Sequence, residues 1–270
     1  DIAEENRTII NASVLGKVFE KINGYKDGSI FTPGFITMYM SRESLRLAVL
    51  QKFNDYFKAN SYPEVNTFEE LYNRIDKIGE EKANDLMNSL RICDPAVGSG
   101  HFLVSALNEL IAIKSELGIL IDNYGRRLRD WEIVVDNDEL IISDEKGIFV
   151  YNYQNKESQR VQETIFKERQ TIIENCLFGV DINPNSVKIC SLRLWIELLK
   201  SSFYKAPDFI ELETLPNIDI NIKCGNSLIS RYDLDADLKK ALQKSKWDIN
   251  SYQNAIATYH SAKNKSIKRD

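Results

Sequence analysis

The sequence contains few of the residues that define several common classes of protein. No apolar run approaches the ~20 residues that a membrane-spanning helix needs. The 270 residues include only four cysteines and two histidines, without a C-x-x-C pair or a zinc-ligand spacing. The cysteines lie in or beside apolar runs, which indicates buried free thiols of a reduced compartment. With a polar amino terminus unlike a signal peptide, the sequence predicts a cytoplasmic protein without a membrane segment or metal site.

Positive charge is also scarce for a chain that binds DNA by itself. Lys and Arg number 35 against 40 Asp and Glu, which gives a formal net charge of −5. Free-standing DNA-binding domains are usually basic, because neutralisation of phosphates drives their affinity. If the parent protein binds double-stranded DNA, we expect regions outside this chain to make most of the contacts.

Three parts with different patterns follow one another along the chain. Residues 1–88 are predicted to be helical, residues 89–230 alternate strands with helices, and residues 231–270 return to helix. A β-rich segment at 131–153 interrupts the alternation. The fold class predicted is α/β: a partial Rossmann-like parallel sheet with N-terminal helices and an inserted β-meander. The meander is expected to contain strands over Trp131–Val135, Glu139–Ile142 and Ile148–Tyr153.

The N-terminal helices are predicted from apolar periodicity and capping residues. One helix is expected over residues 4–22. A second is expected to begin at Pro33, with Thr32 as its N-cap, and to run to about Lys58. The string that begins at Thr67 is a capping box and predicts a third helix.

Three apolar runs are predicted strands, and each ends in a polar turn. They are Arg91–Asp94, Leu177–Asp181 and Asn217–Cys224. Helices are expected after the first two, the first closed by Gly118 and the second capped by Asn183. Ligands of open parallel sheets bind beyond the carboxyl ends of the strands. We therefore expect the turns at Asp94, Asp181 and Asn226 to converge on one ligand.

The first turn is rich in glycine but matches neither common phosphate-binding fingerprint. It lacks the Gly-Lys-Ser/Thr of a P-loop, and Leu103 occupies the third glycine position of the dinucleotide fingerprint. A tight turn beside an acid suits a cationic ligand better than a phosphate. S-adenosyl-L-methionine, which carries an ammonium and a sulfonium, meets this description. The predicted contacts from this turn are Asp94, Pro95, Ala96, Gly98, Ser99 and Gly100.

The other two turns supply groups suited to a nucleoside. Asp181 is predicted to accept hydrogen bonds from ribose hydroxyls, and Asn226 to bind the adenine edge, since an amide both donates and accepts. Phe102 or Ile182 is expected to pack on the purine ring. The alternative for any single strand-end acid is a helix cap or turn former, but three such turns in order favour a binding site.

These strings occur in the order of four motifs of a known family. Asp94–Leu103 resembles motif I of the gamma-class amino-methyltransferases that act on DNA. Phe31-Thr32-Pro33 resembles motif X, Leu177–Leu199 resembles motif II, and Leu215–Leu228 resembles motif III. The residues of these motifs are most similar to those of the Eco57I-like branch of type II restriction-modification enzymes. In this branch a methylase and a nuclease often share one chain.

The resemblance implies adenine-N6 methylation of DNA and a role for each matching residue. Thr32, with Pro33 beside it in motif X, would hold the methionine end of S-adenosyl-L-methionine. Asp181 would bind its ribose. Asn226 stands where the family commonly has an Asp that contacts the adenine amino group. Val97 is a mild departure from the usual Cys or Thr.

One motif of the family is missing from the sequence. Motif IV, Asn/Asp-Pro-Pro-Tyr/Phe, does not occur, and the nearest string, Asn183-Pro184-Asn185, lacks the second Pro and the aromatic residue. The resemblance therefore assigns no catalytic residue. We expect a piece of a longer protein that does not transfer methyl groups alone. A non-catalytic cofactor-binding or DNA-scanning module is the alternative, and the sequence leaves the oligomeric state open.

Overall fold

The computed structural model of the chain describes residues 32–213 and 221–229, with positions 248, 250–251, 253–255 and 258. The described residues up to Ser227 belong to one compact unit, and those from Leu228 onward belong to a second. The helix predicted over 4–22, and most of the one predicted near the carboxyl terminus, lie outside the described residues. Within the described part, no helix is both long and apolar enough to cross a membrane.

Helices and strands alternate after an N-terminal group of helices. In chain order the elements are α1 (Gly34–Ala59), α2 (Phe68–Ile78), α3 (Glu80–Asn88), β1 (Ile92–Asp94), α4 (His101–Glu116), β2 (Glu132–Asp136), β3 (Glu139–Asp144), β4 (Gly147–Ile148), α5 (Lys156–Asn175), β5 (Leu177–Asp181), α6 (Pro184–Leu199) and β6 (Ile222–Cys224). The predicted mixed α/β fold is thus confirmed.

Helix α1 packs along α4 through one narrow stripe. Every fourth residue from Thr37 to Phe57 is buried, because side chains four apart lie on the same face of a helix. Helix α4 is buried around most of its circumference, as expected for a helix packed between α1 and the sheets. Val49 and Phe53 of α1 and Leu107 of α4 are among the fully buried side chains of this core.

The predicted cap of α1 is wrong by one position. The helix begins at Gly34, and Pro33 is the N-cap residue, with a ψ of 141° that lies outside the helical range. No side chain caps this end. Instead the Pro33 carbonyl accepts from the amides of Ile36 at 2.9 Å and Thr37 at 3.2 Å. The predicted end near Lys58 differs from the observed end by one residue.

A parallel sheet has the strand order β1-β5-β6. Ile92 pairs with Leu177, and Asp94 pairs with Gly179. Asp181, at the end of β5, pairs with Cys224 at the end of β6. Because all three strands are parallel, their carboxyl ends lie at one edge of the sheet.

A small antiparallel sheet lies within the segment predicted to interrupt the alternation. Strands β2, β3 and β4 pair in that order, and Asn137 and Asp138 turn β2 into β3 with positive φ angles of 50° and 66°. Two consecutive residues with positive φ are typical of tight hairpin turns.

The third strand of this segment is shorter than predicted. Strand β4 covers Gly147–Ile148, and the residues up to Tyr153 are not strand. The Tyr151 hydroxyl instead donates to Gln159 Oε1 at 2.6 Å and accepts from the Tyr204 amide at 3.0 Å. These bonds direct the chain toward α5 and away from the hairpin.

Capping residues mark the helix ends close to where the sequence places them. Thr67 Oγ1 accepts from the Glu70 amide at 3.1 Å, although the Glu70 carboxylate accepts from Asn66 instead of completing a capping box. Asn183 Oδ1 accepts from the Asn185 amide at the start of α6. After α4, Gly118 has a φ of +65°, which suits glycine at a helix carboxyl terminus.

Candidate functional site

The three strand-end turns meet at one edge of the parallel sheet. The Val97 amide donates to the Val180 carbonyl at 2.9 Å, and the Gly225 amide donates to the Asp181 carbonyl at 2.9 Å. The Ser227 hydroxyl donates to the Pro95 carbonyl at 2.8 Å. The turns after β1, β5 and β6 are therefore neighbours, as their position at the ends of parallel strands predicts.

Asp181 is the centre of this group of turns. Its Oδ2 accepts from the Gly98 amide at 2.8 Å, and its Oδ1 accepts from the Asn183 amide at 2.8 Å. The side chain thereby fixes the glycine loop against the start of α6. An ionised carboxylate has about four acceptor positions, so the half-buried Asp181 retains capacity for further donors.

A second carboxylate, Asp94, lies at the same edge. Its Oδ1 accepts from the Ala96 amide at 3.0 Å, which closes the turn after β1. Burial raises the pKa of Asp94, the Ala96 hydrogen bond opposes that shift, and the negative charge of Asp181 adds to it. A cation placed between the two carboxylates would relieve their repulsion and favour the ionised form of Asp94.

Gly100 is required by both its conformation and its surroundings. Its φ of +85° lies in the left-handed region. A Cβ at this position would lie 2.7 Å from the Cys190 Sγ atom. The glycine loop therefore approaches α6 more closely than any residue with a side chain would permit.

Two buried residues of α6 support the glycine loop from behind. Arg193 Nη1 donates to the Ser99 carbonyl at 3.1 Å and to the Ser99 hydroxyl at 3.3 Å. Cys190 packs against Gly100, and burial raises the pKa of its thiol to about 12, so it remains a neutral packing group. Sequence reasoning missed Arg193. Arg193 and Glu197 are spaced so that they lie on the same face of α6 as the apolar Cys190. Two charged residues on a buried helix face are unusual, and this pattern could have indicated a supporting role for Arg193.

The remaining predicted residues differ in exposure. Ile182 is 72% exposed and Asn226 is exposed, whereas Phe102 and Thr32 are half-buried. Pro33 is exposed at the start of α1.

Helix α1 is joined to the helix of the glycine loop by a contact near its start. The hydroxyls of Thr37 and Ser105 lie 3.0 Å apart. The first turn of α1, which follows Thr32 and Pro33, is thereby held next to the second turn of α4.

A cavity of about 1030 Å³ lies elsewhere, between α1, α4 and the antiparallel sheet. None of the predicted site residues lines it, and its walls include the Arg46–Glu116 ion pair and Trp131. Among the described residues there is also no group of three or more His, Cys, Asp or Glu side chains that would hold a metal ion. The edge of the parallel sheet therefore remains the candidate site.

Fold and site together are typical of one class of protein. Parallel strands, an acidic residue at the end of a strand and a glycine loop leading into a helix characterise α/β domains that bind nucleotides at the carboxyl ends of their strands.

Comparison with known families identifies the chain more closely. Residues 69–252, more than half of the sequence, match the family described as MmeI, DNA-methyltransferase domain. The chain belongs to this family of methyltransferase domains. The match includes the glycine loop, both strand-end acids and the turn at Asn226.

Two curated relatives are type II restriction-modification proteins by name. The "Putative type II restriction enzyme and methyltransferase RM.MjaORFECS2P" of Methanocaldococcus jannaschii is 33% identical over 238 residues, or 83% of this chain and 17% of the relative. The "Type II restriction enzyme and methyltransferase RM.Eco57I" of Escherichia coli is 28% identical over 170 residues, or 62% of this chain and 13% of the relative. These matches confirm the predicted Eco57I-like relationship. The chain spans less than a fifth of either relative.

Proposed function

We propose that this chain is the S-adenosyl-L-methionine-binding part of a site-specific DNA methyltransferase in a restriction-modification system. The observation that carries the proposal is the convergence of three strand-end turns on Asp181, which accepts from Gly98 through its carboxylate and from Gly225 through its carbonyl. Membership in a methyltransferase family selects S-adenosyl-L-methionine among the nucleotides that such an edge accommodates.

The residues at the edge suit the parts of this cofactor. Asp94 and Asp181 provide negative charge, which a ligand with a sulfonium and an ammonium complements. The spare acceptor capacity of Asp181 suits ribose hydroxyls, and the exposed Ile182 offers an apolar surface for a purine. Asn226 would contact the adenine of the cofactor, and the backbone from Pro95 to Gly100 would line the amino-acid end. Thr32 and Pro33 would adjoin the methionine end, since Thr37 fastens their helix to α4.

Methyl transfer itself needs groups that this sequence does not contain. We infer that the parent enzyme is gamma-class and methylates adenine N6, a reaction that requires an extruded base and acceptors for its amino hydrogens. The sequence has no Asn/Asp-Pro-Pro-Tyr/Phe string that would provide these acceptors. When bound, the cofactor supplies the methyl group, and this chain binds and orients the cofactor. With a net charge of −5, it leaves most DNA contacts to other parts of the protein.

The proposal extends to the architecture. The three parallel strands would be part of a Rossmann-like sheet, and the antiparallel sheet within 131–153 would be a meander inserted between its first two strands. The boundaries at residues 88 and 230 stay predictions.

Calorimetry with S-adenosyl-L-methionine on the Asp181→Ala variant tests the site. Each hydrogen bond to a charged acceptor contributes about 1.5–3 kcal/mol, so cofactor affinity should fall by roughly tenfold to a hundredfold or more. The structure adds a second cause of this loss, because the substitution also releases the Gly98 amide from the glycine loop.

A matched control is Asp85→Ala, which removes an exposed acid from α3. Its cofactor affinity should equal that of the wild-type chain. Unchanged affinity in the Asp181→Ala variant would show that the ribose assignment is wrong. Absence of binding by the wild-type chain would reject the proposed cofactor site as a whole.

A further inference from the structure

A series of buried hydrogen-bond contacts joins the tip of the antiparallel hairpin to the first turn of α1. The Asp138 Oδ1 atom lies 2.7 Å from the Ser105 hydroxyl. The Ser105 and Thr37 hydroxyls lie 3.0 Å apart, and the Thr37 hydroxyl lies 2.8 Å from the Gly34 carbonyl. Asp138, Ser105 and Thr37 are all buried. The three contacts therefore link the hairpin, α4 and α1.

The number of available protons limits how many of these contacts are hydrogen bonds at one time. Each hydroxyl has one proton, so Ser105 and Thr37 supply two protons for three contacts. When Asp138 is ionised, Ser105 donates to it, and the single Thr37 proton goes either to Ser105 or to the Gly34 carbonyl. One of the three contacts then has no proton.

Protonation of Asp138 removes this deficit. The neutral carboxyl donates to Ser105, Ser105 donates to Thr37, and Thr37 donates to the Gly34 carbonyl. All three contacts are then hydrogen bonds, and α1 is tied to α4 through its first turn. The neutral carboxyl is thus the form that the geometry accommodates fully.

The backbone of Asp138 is held by contacts that do not involve its carboxylate. The Asp138 carbonyl accepts from Asn108 Nδ2 at 2.9 Å, and its φ of 66° belongs to the tight turn between β2 and β3. Backbone contacts therefore hold the carboxyl next to Ser105 in both protonation states.

The charged groups around Asp138 place its titration near neutral pH. Burial is the largest cause and raises the pKa of Asp138 to about 6. The Ser105 hydrogen bond and the positive charge of Arg193 on α6 lower it, whereas Glu197 on α6 and Glu139 on β3 raise it. Modest changes of pH would thus change the number of bonds in the series.

We propose that the neutral carboxyl of Asp138 is a positioning group, which fixes the first turn of α1 relative to the glycine loop. This turn follows Thr32 and Pro33 directly, so the hairpin contributes to the cofactor site without touching the cofactor. The inference rests on the proposed function in one respect, because it assumes that Thr32 and Pro33 adjoin the methionine end of S-adenosyl-L-methionine.

The first test needs no cofactor and uses the Asp138→Asn variant. The amide of Asn donates to Ser105 at every pH and so reproduces the neutral carboxyl. Hydrogen exchange of the Ile36 and Thr37 amides is compared between wild type and variant at pH 5 and at pH 8. At pH 8 the variant should be protected about two- to tenfold more, the equilibrium effect of one neutral hydrogen bond. If wild type and Asp138→Asn exchange these amides at equal rates at pH 5 and also at pH 8, the proposal is overturned.

The second test measures binding of S-adenosyl-L-homocysteine by calorimetry between pH 5 and pH 8. The affinities of wild type and Asp138→Asn should agree at pH 5, and wild type should bind about two- to tenfold more weakly at pH 8. Ser105→Ala should bind weakly throughout. Asp144→Asn, which removes a carboxylate elsewhere on the hairpin, should follow wild type. Comparison at equal pH cancels the titration of the probe and of Asp94.

The two tests separate failure of this inference from failure of the proposed function. If wild type and Asp138→Asn bind the probe with the same pH profile, the positioning role of Asp138 is rejected and the cofactor site stands. If neither wild type nor any variant binds the probe, the proposed function is rejected, and with it the effect of Asp138 on cofactor binding.

Discussion

At the scale of single residues, β5 passes so close to the glycine loop that only glycine fits at position 179. A Cβ on Gly179 would lie 2.9 Å from Val97 Cγ2, below the range of real contacts. Gly179→Ala should therefore destabilise the chain by about 1–3 kcal/mol through overpacking, measured by urea unfolding. The double variant with Val97→Ala should lose less stability than the sum of the two single variants. Simple additivity would show that the two side chains do not compete for this space.

The stability of the chain should depend on the ionisation of Asp138. Its pKa is raised to about 6 from an ordinary 3.8, so the folded chain binds more protons than the unfolded chain between these values. The contribution of Asp138 to the free energy of unfolding is therefore greatest below about pH 4 and is lost as the pH rises to about 6. Asp138→Asn lacks this loss and should become more stable than wild type by up to about 3 kcal/mol by pH 7. If the stabilities of wild type and Asp138→Asn change in parallel from pH 4 to pH 8, the raised pKa of Asp138 is contradicted.

At the residue level, the sequence predicted positions correctly where they follow from local pattern. Asp94 and Asp181 each end a strand, and the turn at Asn226 follows a third strand. The structure brings the three strand ends together. Arg193 and Asp138 were not identified, because a charged side chain becomes a buried supporting group only through neighbours that are distant in sequence. Ser99 lies 94 residues from Arg193, for example.

At the scale of elements, two Asn caps provide a matched pair of variants. Asn155 Oδ1 accepts from two amides at the start of α5, and Asn183 Oδ1 accepts from one at the start of α6. Replacing either by Ala should cost about 1 kcal/mol of stability, measured by thermal or urea unfolding. Only Asn183→Ala should also weaken cofactor binding, because loss of this cap loosens the start of α6, where the backbone amide of residue 183 donates to Asp181. Equal cofactor affinities in the two variants would argue against a role for the α6 start.

Element boundaries show where local signals were insufficient. Asn183-Pro184 specified the start of α6, because both the capping amide oxygen and the fixed φ of proline act within one turn. Thr32-Pro33 contains similar signals, yet the helix begins one residue later and without a side-chain cap. Strand β4 is short because Tyr151 bonds to Gln159 of α5 and to Tyr204, and the run from 148 to 153 gives no sign of these partners.

At the scale of the whole molecule, the proposed function predicts that the isolated chain binds the cofactor without transferring its methyl group. The net charge of −5 gives little attraction for phosphates, and the sequence has no Asn/Asp-Pro-Pro-Tyr/Phe string. Incubation with radiolabelled S-adenosyl-L-methionine and adenine-containing DNA should therefore give no methyl transfer, although calorimetry should detect cofactor binding. The Asp181→Ala variant serves as the background control. Label in DNA above that background would show that this chain contains a catalytic group.

The sequence by itself determined the mixed α/β class, the three polar strand ends and the relationship to Eco57I-like methyltransferases. These depend on hydrophobic period, turn chemistry and short motifs, all of which act over a few neighbouring residues. Only the tertiary structure decided that Asp181 holds two turns together, that Arg193 supports Ser99, and that Asp138 reaches α1 through Ser105. Those contacts join residues far apart in the chain, and their geometry depends on how helices and strands pack around one core.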